Sequence, residues 1–436
     1  MFLASNGEVV FSATDVAHVG ECEFGFLREL DRVLKKETKA RDDGDALGSL
    51  TADLGDSFER RFLQELVDKY GVHDPSSGGG VLQFDKGYAD SASHALYSSR
   101  TTDALRANPD VIYQAPFFDG ELLGYADFIH REEDGRWRVA DTKLAKTARV
   151  SALLQTTAYA LQLDKMGFAV SEDVEIHLGS DQSERFPLAD IAPLFRQQRD
   201  RARRLIQERT AAGKDTAWGD DRYSVCGSCD HCVDAVGAHE DLLLIARLTR
   251  AQRRKLRAAG IATVTDLVAT GVAPHGLSAA TFQTLQRQGR LQLQQMNDPG
   301  DQIVHEVFGE DEILRLPLPS EGDIFFDYEG DPLFSEGRSY ASLEYLWGVL
   351  EAPTRSDLAN FRYWWAADRG AERVAFDQFM EYVRARREKY PDMHIYHYAP
   401  YEVTALKRLS AANGHHQLLL DELLANQVFV DLYATV

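Results

Sequence analysis

The chain has 436 residues, of which 44% are hydrophobic and 27% are charged. Its 48 basic and 69 acidic residues give a formal net charge of −21, which excludes a globally basic nucleic-acid binder but leaves room for local basic patches. No apolar run approaches the roughly 20 residues of a membrane span, and the N-terminal sequence MFLASNGEVVFSATDVAH lacks the regions of a signal peptide. We therefore expect a cytoplasmic protein of about three domains.

Two helices are predicted near the start of the chain. The first covers about residues 12–35, with Ser12 or Thr14 as its cap. The second covers about residues 50–70, where apolar residues recur every four positions and predict one buried face. Glu59 lies on this second helix, where its carboxylate could complete a metal site. Exposed glutamates are common on helices, so an ordinary surface position is the alternative.

Three strands and two helices are predicted next. They cover about residues 110–118, 121–130, 136–144, 150–166 and 188–212. On the first of these helices Gln155 and Tyr159 are four residues apart and share one face. A polar helix surface is the plain alternative for this pair.

The last two of these strands predict a β-hairpin with acids on one face. With the turn EEDG centred near Asp134, facing residues have numbers that sum to 268. Asp127 then lies opposite Asp141, and Lys143 shares their face because side chains alternate along a strand. Opposed carboxylates repel each other, and a divalent metal removes that conflict because hard cations bind carboxylate oxygens. A lysine beside the metal can stabilise charge that develops on a phosphate. A solvated face with a salt bridge is the alternative.

Three short motifs follow one another in this region: GYAD ending at Asp127, DTK ending at Lys143, and QTTAY ending at Tyr159. Together they resemble the PD-(D/E)XK nucleases of the RecB type. The resemblance implies that two strand acids and a helical acid or histidine hold Mg²⁺ or Mn²⁺, that the lysine is catalytic, and that the Gln/Tyr helix contacts DNA or supports the site. The family often has His-Glu on the helix, whereas this chain has Phe58-Glu59. The implied catalytic set is Glu59, Asp127, Asp141, Lys143, Gln155 and Tyr159, with Glu59, Asp127 and Asp141 as metal ligands.

The cysteines of the chain suggest a second metal site. They are Cys22, Cys226, Cys229 and Cys232. Three of them form CGSCDHC, a spacing typical of metal binding rather than of a disulfide framework. One branch of the same nuclease family has a single cysteine before the core and three after it, which hold a 4Fe–4S cluster. That branch usually has the trio spacing C-x₂-C-x₅-C, whereas this chain has C-x₂-C-x₂-C. Zinc, with His231 or His239 in reserve, is one alternative, and unmetallated thiols are another.

Two basic segments contrast with the acidic composition. RQQRDRARRLIQER begins at Arg196 and RLTRAQRRKLR begins at Arg247, and either could contact DNA phosphates. A solvated helix face is the alternative for each. The following sequence, GIATVTDLVATG, resembles a helix-hairpin-helix module, although Ala262 occupies a position where that module has glycine. The candidate nucleic-acid contacts are Arg199, Arg203, Arg253, Arg254 and Lys255.

A new α/β pattern begins near residue 313. The strand sequence DIFFDYEG places Asp327 and Glu329 on one face, and Glu402 comes later, at the start of a helix. This pattern resembles the DEDD-type ribonuclease H-like exonucleases in the variant fused to RecB-like nucleases, whose chemistry needs four acids around two metals. Glu402 stands where aspartate is usual, and Asp431 is not in the expected motif. We therefore expect a truncated domain with an incomplete second site; a plain strand that carries acids is the alternative.

The expected fold class is α/β, with a PD-(D/E)XK restriction-endonuclease-like core at 1–238, an all-helical hairpin region at 239–300 and a partial ribonuclease H-like domain at 313–436. The resemblance implies a metal-dependent DNA nuclease that acts on ends or single strands in repair or recombination, with a helicase domain or subunit beyond this chain. A catalytically silent DNA-binding module of a helicase–nuclease is the alternative, and an RNA exonuclease centred on Asp327 is a third interpretation. Since the sequence has no Walker motif, no helicase activity is expected within it.

Overall fold

The computed structural model describes residues 1–37, 46–84, 96–297, 300, 302–307, 309, 313–336, 339–340, 342–352 and 359–435. The chain forms two compact units, Met1–His305 and Glu306–Val436. Both combine helices with a β-sheet, so the predicted α/β class is confirmed. Every helix in the described part of the chain is too short or too polar to cross a membrane.

A short ribbon and a six-stranded mixed sheet form the β-structure of the first unit. The ribbon consists of β1 (Phe2–Leu3) and β2 (Val9–Val10). The strands of the main sheet are β3 (Val81–Gln83), β4 (Val111–Phe118), β5 (Leu123–Arg131), β6 (Trp137–Lys143), β7 (Asp173–Leu178) and β8 (Ser183–Pro187). They lie side by side in chain order. The pairs β3–β4 and β6–β7 are parallel and the others are antiparallel, so the predicted hairpin lies at the centre of the sheet.

Helices cover both faces of this sheet. They are α1 (Ala13–Glu21), α2 (Glu23–Leu34), α3 (Ala46–Tyr70), α4 (Tyr97–Arg106), α5 (Val150–Lys165), α6 (Leu188–Ala212) and α7 (Asp230–Ala238). Residues of α1, α5 and α6 share the larger core with one face of the sheet, and α3 packs on the other face through Phe62 and Leu66. Three predicted helices correspond to α3, α5 and α6, whereas α4, β7 and β8 were not predicted.

The single helix predicted for residues 12–35 is wrong, because the chain is extended at Cys22. The φ and ψ angles of this residue are −156° and 98°, and it both ends α1 and caps α2. Its Sγ accepts a hydrogen bond from the Gly25 amide at 3.2 Å. Apolar residues continue on both sides of the break, so helical periodicity does not reveal it.

The hairpin has the predicted register. Phe128 pairs with Ala140 and Ile129 pairs with Val139, and each pair sums to 268. Phe128 and Ala140 face α3, whereas Ile129 and Val139 lie in the core shared with α5.

The ladder between β5 and β6 ends at the pair Phe128–Ala140, so it does not include the expected pair of Asp127 and Asp141. Ala126 lies in the same core as Ile129, which shows that the strict alternation of β5 is interrupted around Asp127. Gln114 connects the Asp127 carboxylate to Glu59 of α3.

The end of the first unit is helical, as predicted. It contains a short 3₁₀ helix (Leu242–Leu244), α8 (Arg250–Ala258), α9 (Val264–Ala269) and α10 (Ala279–Asn297). Thr249 caps α8, since its side chain accepts a hydrogen bond from the Gln252 amide and the two residues form a capping box. Gly260 follows α8 with a φ of +80°, a left-handed conformation that glycine adopts without strain. The chain thus leaves α8 through a glycine turn before α9 begins at Val264.

The second unit has a five-stranded sheet with helices on one face. Its elements in chain order are β9 (Ile324–Asp331), β10 (Ser335–Glu336), β11 (Ser339–Tyr340), β12 (Leu343–Glu351), β13 (Asn360–Trp365), α11 (Arg369–Lys389), β14 (Ile395–His397), α12 (Tyr401–Asn413), α13 (Gln417–Ala425) and β15 (Phe429–Asp431). The strand order is β13-β12-β9-β14-β15, and β10 pairs separately with β11. Phe326 and Tyr328 of β9 point into the helical core, whereas Asp327 and Glu329 lie on the exposed face.

Candidate active site

Asp141 and Lys143 lie near the end of β6, at the rim of the core. The Asp141 side chain is 3% exposed, that of Lys143 is 39% exposed, and the Lys143 Nζ lies 2.6 Å from Asp141 Oδ2. This contact is an ion pair without hydrogen-bond alignment, because neither Asp141 oxygen accepts a hydrogen bond from the described residues. A buried carboxylate with unused lone pairs is unfavourable unless a ligand uses them. The arrangement therefore fits a divalent cation better than a simple salt bridge.

Asp127 and Glu59 are connected by Gln114, a residue that the sequence analysis did not predict. Gln114 Nε2 donates to Glu59 Oε1 at 2.7 Å and to Asp127 Oδ1 at 2.9 Å. The Tyr113 hydroxyl donates to the same Glu59 oxygen at 2.7 Å, and burial together with Glu59 raises the pKa of this tyrosine. Glu59 thus faces the sheet, as expected for a helical member of the site.

Tyr159 lies beside both strand acids. Burial raises the pKa of its hydroxyl, and the charges of Asp127 and Asp141 raise it further, so the phenol keeps its proton. The hydroxyl also packs against Gly124 of the GYAD motif, where an added Cβ would lie only 2.1 Å from it. Gln155, one turn earlier on α5, is half-buried.

The close contact between Gly124 and Tyr159 predicts that a larger residue at position 124 lowers stability. Gly124→Ala should destabilise the first unit by about 1–3 kcal/mol, the usual cost of overpacking a core. The double variant Gly124→Ala/Tyr159→Phe removes the colliding oxygen and should recover most of the loss in denaturant unfolding. Equal stabilities of the single and the double variant would contradict the contact as the cause.

The three predicted carboxylate ligands are not preassembled around one point. Among the described residues, only the four cysteines form a group of three or more potential ligands that a single ion could join. Glu59, Asp127 and Asp141 are brought to one region but stay more widely spaced, with the Gln114 amide between two of them. Binding of a metal by all three would need these side chains to move closer.

The four cysteines converge although 210 residues separate the first from the last. Their sulfurs all lie within 4.8 Å of one another, with 3.4 Å between those of Cys22 and Cys232 and 3.9 Å between those of Cys22 and Cys229. The hydrogen bond between the Cys22 and Cys232 sulfurs lowers the pKa of the Cys232 thiol. Cys226 accepts hydrogen bonds from the amides of Ser228 and Cys229. Four converging sulfurs, two of them buried, form a donor set for a thiolate-bound metal.

His231 and His239, the alternative ligands for zinc, lie near the four cysteines. His231 Nε2 lies 3.9 Å from Glu29 Oε2, and His239 stacks on Trp218 with ring centroids 6.5 Å apart. Neither belongs to the group that the sulfurs form, so the cysteines supply the donor set by themselves.

Three of the predicted nucleic-acid contacts are held in ion pairs. Arg199 pairs with Asp119 at 2.6 Å and, together with Arg203, with Glu121. The buried Arg253 gives two hydrogen bonds to Asp241, at 2.7 and 2.6 Å. A guanidinium buried against a carboxylate stabilises the fold and does not face solvent, so Arg253 is poorly placed to reach a phosphate.

The two other predicted contacts face solvent on α8. Arg254 and Lys255 are exposed, and Lys255 Nζ donates to the Gly276 carbonyl oxygen at 2.7 Å. These two side chains are accessible, and the ion-paired Arg203 side chain is also 41% exposed. Charge patterns in the sequence do not separate them from Arg253, because burial depends on the Asp241 partner.

In the second unit, the three predicted acids lie near one another. Burial raises the pKa of Asp327, and so do the charges of Glu402 and Glu329. Glu402 is 3% exposed, and its Oε2 lies 3.3 Å from His397 Nδ1. Asp431 accepts hydrogen bonds from the amides of Ala399 and Tyr433, so its carboxylate stabilises a turn.

Comparison with known families agrees with this geometry. Residues 10–232 match the family model of the PD-(D/E)XK nuclease superfamily, and residues 324–436 match that of the RNase_H superfamily. The first match covers more than half of the 436 residues, so the chain belongs to the PD-(D/E)XK nuclease superfamily. Both matches support hydrolysis of nucleic acid as its activity. No curated protein matches the chain.

Proposed function

We propose that the first unit is a Mg²⁺- or Mn²⁺-dependent deoxyribonuclease. The proposal depends above all on Asp141, whose buried carboxylate has no hydrogen bond from the described residues and lies 2.6 Å from the Lys143 ammonium. Gln114 connects Asp127 to Glu59. Burial raises the pKa of the Tyr159 hydroxyl, and the charges of Asp127 and Asp141 both raise it further. In a member of a nuclease superfamily, this combination favours metal ligands beside a catalytic lysine.

Each side chain has a role that its environment supports. A metal held by Glu59, Asp127 and Asp141 would act as a Lewis acid and activate its bound water. Lys143, more than a third exposed, can reach a phosphate oxygen and stabilise its charge from the rim of the core. The protonated Tyr159 supports the two strand acids from α5.

The type of cleavage, the DNA substrate and the partner are proposed from the RecB-type resemblance. We infer an exonuclease that acts on DNA ends or single strands in repair or recombination, with a helicase domain or subunit as its partner. Gln155 on α5 would contact the substrate or support the site. The exposed Arg254 and Lys255 are proposed to contact phosphates, while Arg199, Arg203 and Arg253 hold the framework through their ion pairs.

A cleavage assay tests the activity and its specificity. End-labelled single-stranded DNA, double-stranded DNA and RNA of the same sequence are incubated with the protein in Mg²⁺, Mn²⁺ or EDTA. We expect metal-dependent release of products from DNA and none in EDTA. DNA binding without cleavage in either metal would favour the silent DNA-binding module instead.

For the four cysteines we propose a 4Fe–4S cluster, with zinc as a second candidate that a separate observation favours. Bacterial ferredoxins ligate one cluster with C-x₂-C-x₂-C and a distant cysteine, which is the layout of CGSCDHC with Cys22. On the other hand, four thiolates bound to one zinc at about 2.3 Å lie roughly 3.8 Å apart, close to the 3.4 and 3.9 Å found here. In a cluster each thiolate binds a different iron, so the sulfurs would have to separate.

Metal content decides between the two candidates. Anaerobically purified protein that carries a cluster should be brown and contain about four irons per chain, whereas a zinc protein should be colourless with about one zinc. Chains with neither metal would indicate free thiols. The variant Cys22→Ser should lose most of whichever metal the wild type holds.

The second unit is proposed to contribute little cleavage in this chain. Asp327, Glu329 and Glu402 influence one another, but no group of acids among the described residues of this unit is close enough for one ion to join. The variant Asp141→Ala/Lys143→Ala should therefore show no metal-dependent cleavage of DNA or RNA. Residual cleavage that disappears when Asp327→Ala is added would identify the RNase H-like unit as an active second centre, in line with the RNA exonuclease interpretation.

A further inference from the structure

Gln114 has an unusual backbone conformation for a residue inside a strand. Its φ is +56°, in the left-handed region that side chains other than glycine rarely adopt. The ladder between β4 and β5 pairs Tyr113 with Phe128 and Ala115 with Ala126, but omits Gln114 and Asp127 between them. Such conformations concentrate at functional sites, where the surroundings hold them.

Only the nitrogen of the Gln114 side-chain amide makes hydrogen bonds to described residues, whereas its oxygen makes none. It is 1% exposed, and its Nε2 donates to Glu59 and Asp127. Its Oε1 is buried and has no hydrogen-bond partner among the described residues. An unpaired buried oxygen beside two carboxylates is unfavourable, so the metal-free arrangement leaves a good cation ligand unused.

The two ends of a glutamine amide have nearly the same shape, and a half-turn of the amide exchanges them. With nitrogen toward the acids, the N–H groups screen the repulsion between Glu59 and Asp127. With oxygen toward them, the same side chain becomes a neutral ligand of the kind that hard cations accept. Only a cation between the acids makes the second orientation favourable.

We propose that Gln114 is a switchable member of the metal site. It holds Glu59 and Asp127 apart through its amide nitrogen when no metal is bound, and it turns its oxygen to the divalent metal when the ion enters. This inference rests on the proposed function, because it concerns the same carboxylates. It also accounts for their separation, since the amide nitrogen occupies the space between two of the three ligands.

Binding of Mn²⁺ to the full chain, measured by calorimetry and by thermal shift, tests the proposal without a substrate. Gln114→Met keeps the length of the side chain but removes both amide ends. It should weaken Mn²⁺ binding by about 10- to 100-fold, the loss typical when a partner of a metal site is removed. Gln162→Met changes another buried glutamine of the same unit, two turns beyond Gln155, and should leave Mn²⁺ affinity unchanged.

Gln114→Glu separates this role from a merely structural one. It keeps an oxygen but places a third negative charge beside Glu59 and Asp127, so the melting temperature in EDTA should fall. Its Mn²⁺ affinity should equal or exceed that of wild type, and saturating Mn²⁺ should restore the melting temperature. If Gln114→Met does not fold, the melting temperature and the Mn²⁺ affinity of Gln114→Glu decide whether Gln114 is a member of the metal site.

Two results would overturn the inference. One is wild-type Mn²⁺ affinity in Gln114→Met; the other is a Gln114→Glu variant whose Mn²⁺ affinity falls below that of wild type. If wild-type protein binds Mn²⁺ and cleaves DNA in the same experiments, the proposed function stands and only the role of Gln114 is rejected. If wild-type protein does neither, both are rejected.

Discussion

Asp141→Ala is expected to reduce metal-dependent DNA cleavage by well over about a hundredfold, beyond the loss typical of an outer partner of a metal ligand. The reason is that Asp141 is proposed as a direct ligand of the metal. Thermal stability in EDTA should be unchanged or slightly higher. The variant removes a buried charge that has no hydrogen bond from the described residues, and Lys143 is exposed enough for water to solvate it.

Loss of cleavage without loss of stability would distinguish a catalytic role of Asp141 from a structural one. Glu133→Ala, at the exposed turn of the same hairpin, is the matched control and should keep wild-type cleavage. Lys143→Ala should lose cleavage while keeping Mn²⁺ binding, because the lysine is not a ligand. Undiminished cleavage by Asp141→Ala would place the active centre elsewhere in the chain.

Cys22→Ser is expected to destabilise the first unit by about 5 kcal/mol, a loop-closure value for a cross-link that spans more than 100 residues. The metal would join α1 and α2 to a segment 210 residues away, and without it the ends of that loop are free in the unfolded chain. The difference in the free energy of unfolding between wild type and Cys22→Ser is measured by chemical unfolding of the purified proteins. Metal content is measured on the same samples. A chelator that removes the metal from wild-type protein should have a similar effect.

Ser228→Ala provides the control, since this exposed residue lies in the same loop and its backbone amide, which the substitution keeps, donates to Cys226. It should keep wild-type stability and metal content. Equal unfolding curves for Cys22→Ser and wild type would mean that the thiols carry no structural metal.

The sequence was informative where local rules determine the structure. Strand alternation and the EEDG turn predicted the register of the hairpin, in which Ile129 pairs with Val139, because a shift of one residue would turn apolar residues out of both cores. The predicted cap Ser12 also follows from local chemistry, and its side chain accepts a hydrogen bond from the Asp15 amide. The match to the nuclease superfamily agrees with these motifs.

Features that depend on distant partners could not be predicted. Gln114 looks like an ordinary polar residue in an apolar strand, and its role depends on Glu59, 55 residues earlier. The Arg253 side chain follows the helical charge pattern but is buried because Asp241 and Trp218 surround it. The break at Cys22 depends on sulfurs that lie far along the chain.

The convergence of Cys22 with Cys226, Cys229 and Cys232 has a consequence for biosynthesis. At roughly 5–20 residues per second, the ribosome adds Cys232 about 10–40 s after Cys22, since 210 residues separate them. The nascent chain therefore carries an unpartnered thiol throughout synthesis of the whole nuclease core. A centre that needs all four sulfurs can be loaded only after that core has been made, so metal insertion would be a late step in the maturation of the first unit.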